Sequence, residues 1–90
     1  MRVIWTATAR RDRERIARTI AEDDRQAAVK LDAKFGRAEK ALSVHPHRGR
    51  LGRKPGTREL VVHPQYILIY VADAQTVTIL TILHAARRWP

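Results

Sequence analysis

The sequence predicts a single α+β domain over residues 1–90, with an N-terminal strand, a two-helix hairpin and then a three-stranded antiparallel meander. Three observations lead to this fold class. Two long segments repeat apolar residues at spacings of three and four, which is typical of amphipathic helices. Three later runs are rich in β-branched residues and are separated by short polar turns. A tight connection between the helices favours a helical hairpin packed on one face of the sheet.

The first two elements are a short strand and a helix. Residues 2–5 form a β-prone run, and Thr6 or Thr8 is suited to accept a free N–H at the start of a helix. The helix is predicted from Ala9 to about Glu22, because its apolar residues fall on one stripe. That stripe consists of Ala9, Ile16, Ala17, Ile20 and Ala21, and the remaining surface is covered by Arg10, Arg11, Asp12, Glu14, Arg15 and Arg18.

The second helix is predicted to begin near Asp23, because Gln26 follows at the spacing of a capping arrangement. His45 and the following proline end it. Gly36 inside this helix costs about 1 kcal/mol relative to alanine, which indicates either a close approach of another element or a local kink. Its apolar face consists of Ala27, Ala28, Leu31, Phe35, Ala38 and Leu42, and we expect the hairpin to pack on the sheet through Ile16, Ile20, Leu31, Phe35 and Leu42.

The second half of the chain is predicted to be a loop followed by three strands. Residues 46–56 hold three of the four glycines and two of the four prolines, too many for a helix or a central strand. Strands are predicted over 57–62, 66–71 and 76–84, and the almost continuously apolar middle run is typical of a strand buried on both faces. Residues 85–90 form a basic tail.

Composition narrows the classes of partner. The chain carries 18 Lys and Arg against 9 Asp and Glu, a net charge of +9, which favours a nucleic acid or an acidic protein as partner, although a charged surface that only solvates the protein has the same composition. The absence of cysteine excludes disulfides and thiolate metal sites. No apolar run approaches the ~20 residues of a membrane span, and the start does not resemble a signal peptide. We therefore expect a cytoplasmic protein without a membrane partner.

Two segments carry candidate binding chemistry. No acidic residue occurs between Glu39 and Glu59, and guanidinium groups there are suited to pair with phosphate or carboxylate. At the C-terminus an imidazole, two guanidiniums and an indole fall within a short span, although a structural histidine and a core tryptophan would give the same pattern. The predicted binding residues are Arg48, Arg50, Arg53, Lys54, Arg58, Arg87, Arg88 and Trp89. His45, His47 and His63 lack the spacing of metal ligands, so neither a metal nor a cofactor is expected.

The run from Gly56 to Tyr70 and the closing run from Ile82 to Pro90 resemble the RelE/ParE superfamily of type II toxins, and most closely its ParE branch. The likeness spans the chain. It implies a toxin held in a hetero-oligomer by a cognate antitoxin, which we expect to be acidic. RelE-like members cleave messenger RNA on the ribosome, whereas ParE-like members poison DNA gyrase without a known nuclease site.

The residues favour the gyrase branch of the resemblance. In a nuclease the catalytic set would be Arg58, Lys54, His84 and Arg87. However, no tyrosine follows the last strand and no glutamate lies in the basic segment, so the sequence favours a protein that is not an enzyme. A non-toxic nucleic-acid-binding module is a third alternative, but the chain lacks the stacking aromatic residues or the recognition helix of such modules.

Overall fold

A computed structural model describes residues 1–86 of the chain and confirms the α+β class. Five strands form one sheet in the order β1-β5-β4-β3-β2, and both helices pack on the same face of it. The elements are β1 (Arg2–Trp5), α1 (Ala7–Asp23), α2 (Arg25–Val44), β2 (Arg50–Leu51), β3 (Arg58–His63), β4 (Tyr66–Ala72) and β5 (Thr76–His84). Within residues 1–86, neither helix is long and apolar enough to cross a membrane.

The sheet contains the predicted N-terminal strand and meander, and one strand more than predicted at its other edge. β1 runs parallel to β5, so the sheet is mixed, whereas β2, β3, β4 and β5 form antiparallel pairs. The two helices between β1 and the other strands provide the long crossover that a parallel pair requires. At the other edge, Arg50 and Leu51 of the predicted loop form β2 opposite Glu59 and Arg58. The breaker residues around β2 limit it to two residues, and its pairing depends on a strand later in the chain.

The helix caps lie close to the predicted positions. The Thr6 hydroxyl accepts the N–H of Ala9 at 3.0 Å and donates to the carbonyl of Leu80 at 2.8 Å, so it both starts α1 and ties it to β5. The prediction that α2 begins at Asp23 was wrong by one residue. Asp24 is the cap, because α1 continues through Asp23 and only Asp24 has the extended backbone that a cap requires.

The predicted helical contacts form the core. Ile16, Leu31, Phe35 and Leu42 are buried, and Ile20 is half-buried against them. They pack on Leu68, Tyr70, Val77, Ile79 and Ile82 of the sheet. The prediction that β4 is buried on both faces holds only for its middle. On the face without helices, Ile69 is 1% exposed, whereas Ile67 and Val71 are half-buried.

Asp12 lies in the interior, although the sequence analysis assigned it to the polar surface of α1. One carboxylate oxygen accepts the hydroxyl of Thr81 at 2.6 Å and the N–H of Ile82 at 3.0 Å. β1 ends opposite Ile79, so the N–H of Ile82 has no strand partner on that side of β5. The Asp12 carboxylate therefore accepts the hydrogen bond that a carbonyl of a neighbouring strand would otherwise accept from Ile82. Its position between Ala9 and Ile16, at helical spacing, was the available signal that it faces inward.

Gly36 causes neither of the two features that the sequence suggested. α2 runs without a break from Arg25 to Val44, and a Cβ atom at Gly36 would meet only the Arg13 guanidinium, at an ordinary contact distance of 3.8 Å. Gly36→Ala should therefore raise the free energy of unfolding by about 1 kcal/mol, because alanine loses less backbone entropy in a helix. Urea denaturation measures this change. A loss of stability would show that Arg13 cannot accommodate the methyl group.

Candidate functional site

The predicted basic segment forms an exposed loop between α2 and β3, which we call the basic loop and define as residues 48–56. Arg48, Arg50, Arg53 and Lys54 are all exposed. The loop includes β2, so its first half lies along the edge of the sheet. The structure thus brings four of the eight predicted binding residues together on one surface.

The side chain of Arg58 forms hydrogen bonds with the backbone at the start of the basic loop. Its guanidinium donates to the carbonyl of Gly49 at 2.8 Å and to that of His47 at 3.3 Å. The N–H of Gly49 donates to the hydroxyl of Tyr70 at 2.9 Å, inside the protein. A guanidinium has five donors and no acceptor, so it is suited to fix several backbone carbonyls at once. Arg58 therefore positions the loop.

The end of the basic loop is closed by Thr57. Gly52 donates its N–H to the carbonyl of Thr57 at 2.8 Å, and the buried Thr57 hydroxyl donates to the carbonyl of Lys54 at 2.7 Å. Gly56 adopts a φ of 83°, which a side chain would disfavour. Because both ends are fixed by hydrogen bonds, the basic loop is preorganised and loses little conformational freedom when it binds a partner.

The charges of the basic loop are not equivalent. Arg50 pairs with Glu59 at 3.0 Å, and the Glu59 side chain is only 11% exposed. Glu59 is therefore engaged with Arg50. The side chains of Arg48 and Arg53 have no hydrogen bond or ion pair with any residue in 1–86. They are available to an external anion.

A second group of side chains lies at the far end of the sheet. His63, Tyr66 and His84 form a row across β3, β4 and β5, with ring centroids 5.8 Å and 5.5 Å from the central tyrosine. Tyr66 also contacts Phe35 of α2, at 6.3 Å between the rings. The sequence analysis looked for a tyrosine after the last strand and missed this one. Cross-strand pairing brings it beside His84, and the bulge in β5 hid that register from the sequence.

Both histidines of this row bind the turn that follows their own strand. Nδ1 of His63 accepts the N–H of Gln65 at 3.0 Å, and Nδ1 of His84 accepts the N–H of Ala86 at 3.2 Å. A neutral imidazole with Nδ1 as acceptor carries its proton on Nε2. Each ring can therefore donate a hydrogen bond through Nε2 without breaking its turn.

Arg58 and His84 do not lie in one site. Arg58 pairs with Tyr70 and His84 pairs with Tyr66, so four residues of β4 and two inter-strand steps separate them. Their Cα atoms are roughly 16 Å apart at the usual strand spacings. Lys54, in the basic loop, lies at the Arg58 end. Arg87, Arg88 and Trp89, which the sequence predicts as binding residues, lie outside the residues that the structure describes.

The acidic and imidazole side chains of the described residues are dispersed. Residues 1–86 contain no group of three or more His, Cys, Asp or Glu side chains placed to hold an ion. In the turn before β5, the N–H groups of Gln75 and Thr76 donate to the carboxylate of Asp73 and lower its pKa. That carboxylate stabilises the turn.

In sequence, the chain is similar to proteins that are named as toxins. A family model described as the ParE toxin of the type II toxin–antitoxin system parDE matches residues 3–89. A putative toxin Y4kP of Sinorhizobium fredii is 39% identical over 99% of this chain and 93% of its own length. Toxin RelE2 of Caulobacter vibrioides is 36% identical over 94% of this chain and 96% of its own length.

Solved structures share the fold. A chain of the chromosomal ParDE system from P. aeruginosa superposes with a TM-score of 0.81 at 22% identity, covering 93% of this chain and 95% of that one. A YoeB/ParE toxin from Agrobacterium tumefaciens superposes with a TM-score of 0.69 at 15% identity, covering 93% and 98%. At sequence identities of 22% and 15%, these superpositions show that the chain shares its arrangement of helices and strands with the two proteins.

Proposed function

The chain belongs to the ParE toxin family of type II toxin–antitoxin systems, and from this membership we propose that it arrests growth in the cytoplasm by inhibiting DNA gyrase. The observation that carries the proposal is the separation of Arg58 from His84. A ribonuclease of this superfamily would combine such residues on one phosphate, whereas here they pair with residues four positions apart on β4 and from opposite sides of that strand.

The chemistry of RNA cleavage explains why this separation matters. In-line attack by a 2′-hydroxyl needs a base at the nucleophile and an acid at the leaving oxygen, and each contributes about 10²–10⁴-fold to the rate. Both groups must come within hydrogen-bond reach of the same phosphodiester. A guanidinium has donors and no acceptor, and that of Arg58 already donates to two backbone carbonyls, so it is poorly suited to either role.

The basic loop is the surface that we assign to the target. Its tip carries the exposed side chains of Arg53 and Lys54, and its two ends are fixed by hydrogen bonds. A rigid cationic loop fits an acidic protein surface or DNA bound to a protein, because charge complementarity speeds and orients encounter. A complex of gyrase with DNA offers both.

A ribosome-dependent ribonuclease is the second candidate, and one observation favours it. His63 and His84 lie on either side of Tyr66, so two imidazoles, the side chains that most often transfer protons in catalysis, are close to one another. Their strands are two inter-strand steps apart, about 10 Å. A substrate would have to bridge that distance across Tyr66 for both imidazoles to act on one phosphate.

Two assays in parallel test the proposal. The purified chain is added to gyrase with supercoiled plasmid and, separately, to translating ribosomes with a defined message. We expect trapped gyrase–DNA complexes and intact message. The Arg53→Ala, Lys54→Ala double variant should be about tenfold less potent against gyrase, because it removes the loop-tip charges. The Arg11→Ala, Arg18→Ala double variant is the control, since it removes two exposed charges from α1.

The His84→Ala variant separates the two candidates. It should inhibit gyrase as the parent chain does, because His84 lies at the end of the sheet away from the basic loop. Cleavage of the message at defined codons, lost in His84→Ala, would contradict the gyrase proposal and establish the ribonuclease. Inactivity in both assays would also contradict it and would leave the family membership untouched.

A further inference from the structure

The exposed face of α2 carries a row of four cationic side chains. Lys30, Lys34, Arg37 and Lys40 follow one another at intervals of four, three and three residues, so they project from one side of the helix. We call these four residues the α2 row. At about 1.5 Å per residue the row is about 15 Å long. Its Lys40 end is nearer in sequence to the basic loop, which begins four residues after α2 ends.

The positive charge of the α2 row is not offset by neighbouring acids. None of its four side chains has a hydrogen-bond or ion-pair partner among residues 1–86. Both acids of α2 are engaged elsewhere, because Asp32 pairs with Arg13 at 2.6 Å and Glu39 accepts the indole N–H of Trp5 at 2.6 Å. The exposed positions of α2 therefore hold five cations and no carboxylate.

Helix α1 shows that such a row does not follow from the basic composition alone. The exposed positions of α1 hold four arginines and three acids, and one of these arginines, Arg15, pairs with Asp12 at 3.1 Å. Interleaved charges of this kind are typical of a helix face that only meets solvent. The uncompensated charge of α2 instead indicates a polyanionic partner.

We propose that the α2 row binds the phosphate backbone of duplex DNA. About 15 Å of duplex carries about four phosphates on each strand, which matches the four cations of the row. Because α2 packs on the sheet, only its outer side reaches the DNA, so the contacts are with phosphates and do not read the base sequence. The proposal deepens the proposed function and rests on it for the source of the DNA: the basic loop contacts gyrase, and the α2 row contacts the duplex that gyrase holds.

A protein or a membrane fits the α2 row less well than a duplex. Interfaces between proteins are depleted in lysine and centred on large anchoring side chains, whereas three of these four cations are lysines and Ala33 lies between them. Phosphates require only positive charge, which lysine supplies. Insertion into a membrane surface needs large apolar side chains, but Val29 and Val44 are the largest apolar residues exposed on α2.

Single-stranded nucleic acid is also a poorer fit than a duplex. Proteins bind single strands largely by stacking the bases on aromatic side chains. Phe35 is the only aromatic residue of α2, and it is 1% exposed because it lies in the core. A duplex keeps its bases stacked and presents phosphates to its surroundings, so it needs no aromatic platform.

Fluorescence anisotropy with a short labelled DNA duplex tests the proposal, using the purified chain without gyrase over a range of salt concentrations. We expect the logarithm of the affinity to fall linearly with the logarithm of the salt concentration. The Lys30→Ala, Arg37→Ala, Lys40→Ala triple variant should reduce that slope by about three and weaken binding about 30-fold or more at low salt, because three phosphate contacts are lost. Alanine favours helix, so α2 should stay folded, which circular dichroism checks.

Two control variants distinguish the α2 row from net charge. The Arg10→Ala, Arg11→Ala, Arg18→Ala variant removes three exposed arginines of α1 and has the same net charge as the α2 triple variant. We expect it to bind the duplex at least about tenfold more tightly than the α2 triple variant does. Lys30→Arg with Lys40→Arg keeps the charge of the row and should bind as the parent chain does. Equal losses in both triple variants, or a parent chain that does not bind the duplex, would overturn the proposal.

Competition with other polyanions separates the occupants. Unlabelled duplex DNA, single-stranded RNA, polyglutamate and phosphatidylserine vesicles are each added to the labelled complex at equal concentrations of negative charge. We expect duplex DNA to displace the labelled duplex at the lowest concentration, because its phosphates are the most densely spaced along a rigid axis. If one of the other three displaces it more effectively than duplex DNA does, the α2 row serves that class of partner and the proposal fails.

The gyrase assay keeps this proposal apart from the proposed target. We expect the α2 triple variant to be about tenfold less potent against gyrase, because it loses the contact with the DNA. A parent chain that binds the duplex without trapping gyrase would contradict the proposed target and leave the DNA-binding surface standing. A parent chain that traps gyrase, together with a triple variant that binds the duplex as tightly as the parent, would remove the DNA-binding surface and leave the target standing.

Discussion

Gly49→Ala is expected to lower the free energy of unfolding by about 2–4 kcal/mol and to displace the basic loop. A Cβ atom at this position would lie 2.8 Å from the carbonyl oxygen of Glu59 and 2.8 Å from the hydroxyl of Tyr70. Neither neighbour is the free end of a flexible side chain, because Glu59 contributes backbone and the Tyr70 ring is fully buried. The backbone must therefore move away from β3 and β4.

That movement breaks two fixed contacts. The N–H of Gly49 would leave the Tyr70 hydroxyl, and a buried polar group without a partner costs about 1–3 kcal/mol. The carbonyl of Gly49 would also move from the guanidinium of Arg58. Overpacking adds a cost of about 1–3 kcal/mol, part of which relaxes as the loop shifts.

Urea denaturation followed by circular dichroism measures the stability loss, and the gyrase assay measures the consequence for the loop. Gly36→Ala is the matched control, since the same substitution there is expected to stabilise the protein. Tyr70→Phe removes only the hydroxyl and should cost about 1–2 kcal/mol, less than Gly49→Ala. Parental stability and activity in Gly49→Ala would show that the close contacts at Gly49 do not constrain the loop.

The second large effect is expected at Asp12. Asp12→Ala should lower the free energy of unfolding by about 3 kcal/mol, because the N–H of Ile82 and the hydroxyl of Thr81 lose a charged acceptor in the interior. The ion pair with Arg15 adds little, since the Arg15 side chain is 57% exposed.

Thermal or urea denaturation of three variants separates these contributions. Asp12→Asn keeps one carbonyl oxygen as acceptor and should recover part of the loss. Asp23→Ala is the control, because this carboxylate lies at the end of α1 and is exposed, and its removal should change stability by less than about 0.5 kcal/mol. A cost at Asp12 no greater than at Asp23 would mean that water satisfies the edge of β5.

Those predictions concern features that the sequence did not reveal, whereas much of the fold was predictable. Leu31 and Phe35 occur at helical spacing, and the structure buries both. The three later strands lie within a residue of their predicted bounds. Family membership was likewise evident in the runs around Arg58 and His84, and the family match over residues 3–89 confirms it. These properties depend on the order and spacing of neighbouring residues.

The partners of individual polar residues were decided only by tertiary structure. Arg58 was a candidate catalytic residue in sequence, but folding directs its guanidinium to the carbonyls of the basic loop. Asp12 was assigned to the surface, and its partner Ile82 lies 70 residues away. Tyr66 lies beside His84 only because β4 and β5 pair in one register, with a bulge that shifts it.

The physical reason is the range over which each property is encoded. Burial of a helix face follows from residues three and four apart, so Leu31 and Phe35 reveal it in the sequence itself. Strand register, and with it every cross-strand neighbour, depends on turn geometry and bulges, and a shift of one residue exchanges the two faces of a strand. The sequence therefore determined which segments are helices and strands, while strand pairing decided which side chains meet at the candidate sites.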